Sequence, residues 1–238
     1  MNASLPLGAA LWASGVRLWV GVGSAGVAQQ RLMLDTGSST LAFCNTNIAD
    51  VLSLQRLPYL SCNMYDPSSG YWGYFYQGDL SVEGDLVLNS SRFSVMQQEV
   101  NMPCQAGFDG IFGIAFYQLD LAFDDYYGPL DWQAAGASGI CPPQDVAAGA
   151  MPEPLLDTLK RSGAMEKVGI YWSGQLGDSA GRLYLDHAAS HNEHASTAAL
   201  AGRATLGETG FYEVNVQRMA WGSEAFDGFG GAGNPVVM

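Results

Sequence analysis

The residues best suited to chemistry lie in one short run, Leu32-Met33-Leu34-Asp35-Thr36-Gly37-Ser38-Ser39-Thr40. Three apolar residues read as the end of a buried strand. Thr-Gly-Ser-Ser then supplies a tight turn rich in hydrogen-bond donors. Hydroxyls and backbone N–H groups gathered there can anchor the Asp35 carboxylate and control its charge state, as acid–base work on a water or a substrate requires. An ordinary Asx or Ser/Thr turn between two strands uses the same residue types, so the run needs support from the rest of the chain.

Two other groupings carry potential chemistry. His187, His191 and His194 are the chain's 3 histidines, and at helical spacing they would line one face as metal ligands. No acidic or cysteine ligand has matching spacing, so they read as solvated loop residues and no metal site is expected. The 4 cysteines, Cys44, Cys62, Cys104 and Cys141, have no CxxC spacing and no histidine nearby, which argues against zinc. An even count suits two disulfides in an oxidising compartment. Of the three possible connectivities, local pairing of Cys44 with Cys62 and Cys104 with Cys141 is the expectation. Two glycosylation acceptor patterns, Asn2-Ala3-Ser4 and Asn89-Ser90-Ser91, point to the same compartment.

The elements that must hold these groups follow from composition and patterning. At 238 residues the chain can bury a substantial core as one large or two small domains, and 48% hydrophobic against 14% charged residues excludes a disordered chain. Its 30 glycines, 10 Phe and 11 Tyr favour strands and turns over long helices. A formal net charge of −13 offers no basic surface to phosphates, so nucleic acid is excluded as a partner, while such acidity suits work at low pH. No apolar run is long enough to span a bilayer, and the N-terminus lacks the basic region and apolar core of a signal peptide.

Along the chain, Val16 to Val22 alternates as a strand, Gly23 to Gly26 turns, and Gln29 to Asp35 returns with the carboxylate at its end. Leu41 to Cys44 continues as a short strand, and Asn45 to Ser69 reads as irregular, with a turn at Asp66-Pro67-Ser68-Ser69-Gly70. Tyr71 to Leu88 reads as a β-hairpin turning at Gln77-Gly78-Asp79, with Trp72, Tyr74 and Tyr76 on one face. Phe93 to Val95 and the glycine-punctuated Gly107 to Phe116 follow, then a long surface excursion over Ala122 to Gly149. Pro152 to Met165 is the best helix, with Leu155, Leu156 and Leu159 on one face. Strands return at Val168 to Trp172, Arg182 to Asp186 and Gly210 to Trp221.

Taken in order, these pieces resemble the pepsin-like (family A1) aspartic proteases. Leu34-Asp35-Thr36-Gly37-Ser38-Ser39 followed by Leu41 resembles the first active-site motif, and Trp19-Val20-Gly21-Val22-Gly23 with Ala28-Gln29-Gln30 looks like the strand and turn before it. Tyr76 to Gly84 is similar to the flap hairpin, and Asp109-Gly110-Ile111-Phe112-Gly113-Ile114-Ala115 to the family's Asp-Gly-Ile-Leu-Gly-Leu segment. Pro154 to Gly163, Gly181 to Leu185 and Gly210 to Val214 also fall in the family's order, so the resemblance runs from about residue 17 to about 220.

The resemblance implies an all-β, pepsin-like acid-protease β-barrel lobe with the beginning of a second lobe and few short helices, divided as residues 1–175 and 176–238. It implies an aspartic endopeptidase acting on extended polypeptides, without cofactor or metal, in the secretory pathway, outside the cell or in an acidic vacuolar or lysosomal compartment. Two aspartates share a proton and a water; one ionised carboxyl activates the water while its protonated partner polarises the scissile carbonyl. Asp35 would be the first, supported by Thr36, Gly37 and Ser38. Tyr76 would be the flap tyrosine, with Tyr74 as the alternative, and Ile111-Phe112-Gly113 would pack behind the Asp35 loop.

Two departures qualify that expectation. No second Asp-Thr/Ser-Gly is present; Asp178-Ser179-Ala180-Gly181 is the nearest string, with Ala where the turn wants Gly. Pro235-Val236-Val237 looks like the approach to that second motif, so truncation before the second aspartate is expected, the missing C-terminal lobe being required for the dyad. The chain also has Ala42-Phe43 where the family usually carries a Trp after the motif. The competing classes are a non-catalytic relative that binds or inhibits, and a carbohydrate-binding β-sandwich in which Asp35 would sit exposed on a loop.

Overall fold

Short apolar stretches broken by glycines and small polar turns cannot sustain helices, and the chain folds almost wholly as strands. The computed structural model describes residues 3–12, 15–24, 29–45, 54–66, 69–82, 86–115, 122–124, 141, 155–161, 167–186, 213–214, 218–221, 224–227 and 236–237. The strands are β1 (Ala3–Trp12), β2 (Gly15–Ser24), β3 (Gln30–Asp35), β4 (Leu41–Cys44), β5 (Gln55–Asp66), β6 (Ser69–Val82), β7 (Leu86–Val100), β8 (Gly110–Gly113), β9 (Ala122–Asp124), β10 (Lys167–Trp172), β11 (Gly177–Asp186), β12 (Glu213–Val214), β13 (Arg218–Trp221), β14 (Glu224–Asp227) and β15 (Val236–Val237). A 3-10 turn spans Pro103–Ala106, and the helix α1 (Leu155–Arg161) buries Leu156 and Leu159 within the longer span predicted.

Eleven strands join in the order β10-β11-β1-β2-β3-β8-β4-β7-β6-β5-β9, and β2 also pairs with β6. That extra pairing closes β2, β3, β8, β4, β7 and β6 into a barrel. Inward residues of each strand fill it, among them Val20, Val22, Leu32, Leu41, Phe43, Leu80, Phe93, Val95 and Phe112. Because side chains alternate across a strand, the neighbours of these residues form a second, opposite face: Met33 on β3, Ala42 on β4, Met96 on β7 and Ile111 on β8. Asp35 follows Met33 by two residues and therefore belongs to that second face, outside the barrel interior.

Several expectations are corrected. Asn45 to Ser69 is not irregular throughout: β5 occupies its second half, because Leu60 and Cys62 alternate into a buried cluster with Trp72 and Phe123. Gln77-Gly78-Asp79 is not a turn. The strand β6 runs through it to Val82 with a register shift at Gly78/Leu80, stabilised where the Ser90 N–H donates to the Asp79 carboxylate at 2.8 Å. The presumed surface excursion contains β9, whose Phe123 is fully buried against β5. Gly210 to Trp221 is divided between β12 and β13. The hairpin β10–β11, which spans position 175, is carried on β1 in the same sheet, and its outer strand exposes Ile170 and Trp172.

The local disulfide pairing is overturned as well. Cys44 is bonded to Cys104 and Cys62 to Cys141. Parallel pairing sets Cys44 beside Met96 on β7, and the 3-10 turn after β7 returns Cys104 to it, with the Cα atoms 5.9 Å apart. Cys62 faces the separate Leu60–Trp72–Phe123 cluster, where Cys141 packs. The Cys44–Cys104 bridge closes a chain separation of 60 residues. Replacing both cysteines by serine is expected to lower the unfolding free energy by about 2–5 kcal/mol, read from urea titrations. A non-reducing peptide map should recover Cys44 linked to Cys104 and not to Cys62.

Candidate active site

Asp35 ends β3, which runs parallel to β8 with Leu34 opposite Phe112 and Asp35 opposite Gly113. The chain then reverses within Thr36–Thr40 and crosses directly over Gly113. Backbone bonds fix this crossing: Gly113 N–H to Thr40 O at 3.1 Å, Ile114 N–H to Asp35 O at 2.9 Å and Ala115 N–H to Ser38 O at 2.7 Å. A side chain at Gly113 has no room, since a Cβ would lie 2.6 Å from Ser38 O and 2.7 Å from Thr40 N. Asp35 is half-buried, and its Oδ1 accepts the Gly37 N–H at 2.9 Å. A carboxylate held by a backbone donor at a strand end is presented in one orientation. Thr36 and Gly37 are half-buried, whereas Ser38 is buried and its hydroxyl has no hydrogen-bond partner among the described residues.

The start of β8 is braced separately. The Asp109 carboxylate accepts the Arg31 N–H at 2.8 Å, and Asp109 O accepts the Cys44 N–H at 2.9 Å. Asp109 therefore ties β3, β4 and β8 together at the end opposite Asp35. Phe112 lies within the barrel core and Ile111 on the outer face, so the Ile111-Phe112-Gly113 unit spans both sides beneath the Asp35 loop.

The hairpin that meets this loop is β5–β6. Asn63 and Tyr71 pair across it, and the Asn63 amide donates to Tyr71 Oη at 2.9 Å, Ser61 Oγ at 3.4 Å and Thr40 Oγ1 at 3.5 Å. Tyr71 is fully buried and packs with Ala42, Met96, Met102 and Ile111. A large ring from β6 thus packs with Ala42, within the Ala42-Phe43 pair that stands where the resembled family usually has a Trp. Tyr65 lies one alternation beyond Asn63, at a bulge before the Asp66–Ser69 pair, and is exposed.

Tyr76 and Tyr74 lie on the other face of β6. Tyr76 is 8% exposed within the barrel core, paired with Phe93. Burial pushes its phenol above the ordinary value, the Arg56 charge opposes that shift, and Tyr74 adds to it. Tyr74 lies under the Arg56 guanidinium at 3.9 Å from the ring centroid and edge-on to Trp72. Tyr76 thus belongs to the main core cluster, and Tyr74 packs against it.

Asp178 is exposed on β11, separated from β3 by three strand spacings, roughly 14 Å across the sheet. His187, His191 and His194 lie outside the described residues. Asn63, Tyr71 and Tyr65 were not singled out from the sequence; the turn signal Asp66-Pro67-Ser68-Ser69 between them was the available clue.

Among solved structures, the chain is similar to the crystal structure of an aspartic proteinase from Irpex lacteus, with a TM-score of 0.52 and 16% identity over 87% of this chain and 51% of that one. The likeness is one of fold: an all-β, pepsin-like lobe. This chain spans about half the length of that structure. No protein-family model and no curated protein sequence matches it.

Two substitutions and one titration test the geometry. Gly113→Ala is expected to destabilise the fold by about 1–3 kcal/mol, measured by denaturant unfolding, because backbone atoms line the space on the Ser38–Thr40 side. Asn63→Leu should speed amide exchange at residues 64–70 more than it lowers global stability, as the amide tethers the hairpin to Thr40. Glu99 is half-buried, and burial holds its carboxyl above the ordinary value of 4.5 against the opposing bond from the Cys104 backbone. The folded state then holds that proton more tightly than the unfolded chain, so the contribution is complete below about 4.5 and lost as pH rises through the raised folded value. Glu99→Gln should flatten that part of a stability–pH profile, and an unchanged slope would refute the assignment.

Proposed function

We propose that this chain contributes one half of an aspartic endopeptidase site, with Asp35 as one of two carboxyl groups that share a proton and activate a water against a peptide carbonyl. The observation that carries this reading is the Asp35 carboxylate at a strand end, half-buried and bonded to the Gly37 N–H at 2.9 Å, in a loop whose Thr40 accepts from Asn63 of the β5–β6 hairpin at 3.5 Å. The amide neighbour and partial burial also speak against Asp35 as an exposed loop residue of a carbohydrate-binding module.

In this reading Thr36, Gly37 and Ser38 hold the carboxyl, and the Ser38 hydroxyl, without a partner among the described residues, is available to it. The flap is the β5–β6 hairpin, and Tyr65 near its tip takes the part that the sequence assigned to Tyr76 or Tyr74. The substrate is a polypeptide, extended in the groove between hairpin and loop. Two carboxyls a few ångströms apart resist ionising together, so one stays protonated to polarise the carbonyl while the other takes the proton from water. In this reading the second carboxyl comes from a further lobe, while β11 (Gly177–Asp186) stays in the large sheet beside β1. The two disulfides fit a secreted or vacuolar protein, and no helix among the described residues is long and apolar enough to cross a membrane.

A purified 238-residue chain is therefore expected to show little or no cleavage of an acid-denatured protein. The same chain joined to a lobe bearing a second Asp-Thr/Ser-Gly should cleave it, with loss in Asp35→Asn. Activity of the chain alone that disappears in Asp35→Ala would overturn the half-site reading. Activity of the joined form that survives Asp35→Asn would overturn the role of Asp35.

A further inference from the structure

We propose that Asn89 is an N-glycan acceptor whose sugars cover the open edge of β7. Asn89-Ser90-Ser91 satisfies the acceptor pattern, and the fold presents it suitably. Asn89 and Ser90 are both exposed, between the buried Leu88 and Ser91. The Asn89 side chain engages no other described residue. Its neighbours are fixed: Ser90 has a positive φ of 52°, its N–H donates to Asp79 Oδ1 at 2.8 Å, and its carbonyl accepts from Gln77 Nε2 at 3.3 Å. The backbone is thus turned outward at the acceptor by a braced kink, and an adduct on Asn89 displaces no packed group.

The surroundings give the glycan something to cover. Leu86–Leu88 pair with Leu80–Val82 on one side, whereas β4 reaches β7 only at Ser94–Met96. Among the described residues, the other side of 86–91 is an unpaired strand edge, and Val87 on it is 60% exposed. Such an edge invites pairing with another chain unless something bulky or charged blocks it. Asn89 lies level with Asp79, eight residues along β6 from Tyr71, roughly 25 Å from the Asn63 tether at 3.3 Å per residue. A glycan there leaves the Asp35 groove open.

The modification is a substitution at an anomeric carbon. The Asn89 Nδ2 forms a bond to C1 of an oligosaccharide carried as a polyisoprenyl diphosphate, the C1–oxygen bond to the diphosphate breaks, and the amide gives up one proton. Transfer acts on the extended chain, before Ser91 Oγ bonds to Leu88 O at 3.3 Å in the folded strand. No oxidant is needed. The two disulfides provide the independent sign of an oxidising compartment, where such transfer takes place.

The test is secretion of the full chain from a eukaryotic host behind a supplied signal peptide, followed by peptide-N-glycosidase treatment in ¹⁸O water and mass spectrometry. The Asn89 peptide is expected to carry the ¹⁸O-aspartate mark. Ser91→Ala should abolish it and Ser90→Ala should retain it; neither serine belongs to the Asp35 site. Recovery of the Asn89 peptide as unmodified asparagine from secreted, disulfide-bonded protein would overturn the acceptor. Exchange of the 86–91 amides should accelerate on deglycosylation, and unchanged exchange would overturn the covering role. Neither result depends on peptidase activity.

Discussion

The constraint on which the architecture depends is the crossing of the Thr36–Thr40 loop over Gly113. Parallel pairing of β3 and β8 delivers Asp35 and Gly113 side by side, and three backbone bonds seal the loop against β8. None of those bonds involves a side chain, so the position of the carboxylate is fixed by the peptide lattice. That lattice requires only that residue 113 have no Cβ and that the loop be short. The hydroxyl-bearing side chains around it are then free to be selected for chemistry.

Strand alternation distributes roles between the two sides of the barrel. Leu32, Leu34 and Phe112 face the main core, while Met33, Asp35, Ala42 and Ile111 face outward. The same parity sends Tyr74 and Tyr76 inward and Tyr71 outward. A shift of one residue in the pairing of β6 would exchange those sets, and the bulge at Trp72/Gly73 is where the register is adjusted. The exchange of bulk between Ala42 and Tyr71 belongs to the same logic. A small residue on β4 leaves a volume that a ring from the neighbouring hairpin fills.

What could be read from the sequence was local. The Asp35 turn, the strand before it and the glycine-punctuated strand behind it are each specified within a few residues by pattern and turn chemistry. The all-β class followed from composition. What escaped depends on pairing between distant segments. Cys44 finds Cys104 because β4 runs parallel to β7, a fact that spacing along the chain does not contain. The strand β5 was hidden by its Arg, Pro and Asn: Asn63 joins a hydrogen-bonded network with Ser61, Tyr71 and Thr40, and Arg56 lies over the Tyr74 ring. Gln77-Gly78-Asp79 carries the residues of a turn, yet here it lies within β6, opposite a bulge at Asn89–Ser90 of β7. The expected hairpin turn therefore gives way to a continuous β6, and β5 and β6 pair up to Asp66 and Ser69 on either side of Pro67-Ser68.

The continuity of β6 has a mechanical consequence. One strand serves as the second arm of the β5–β6 hairpin and as the first arm of the pairing with β7, so the tip and the barrel wall are parts of the same rod. The register shift at Trp72/Gly73 leaves that rod unbroken, because the extra residue, Gln97, lies on β7. The arm that carries the hairpin tip thus shares its backbone with the wall strand that pairs with Phe93 and Leu88.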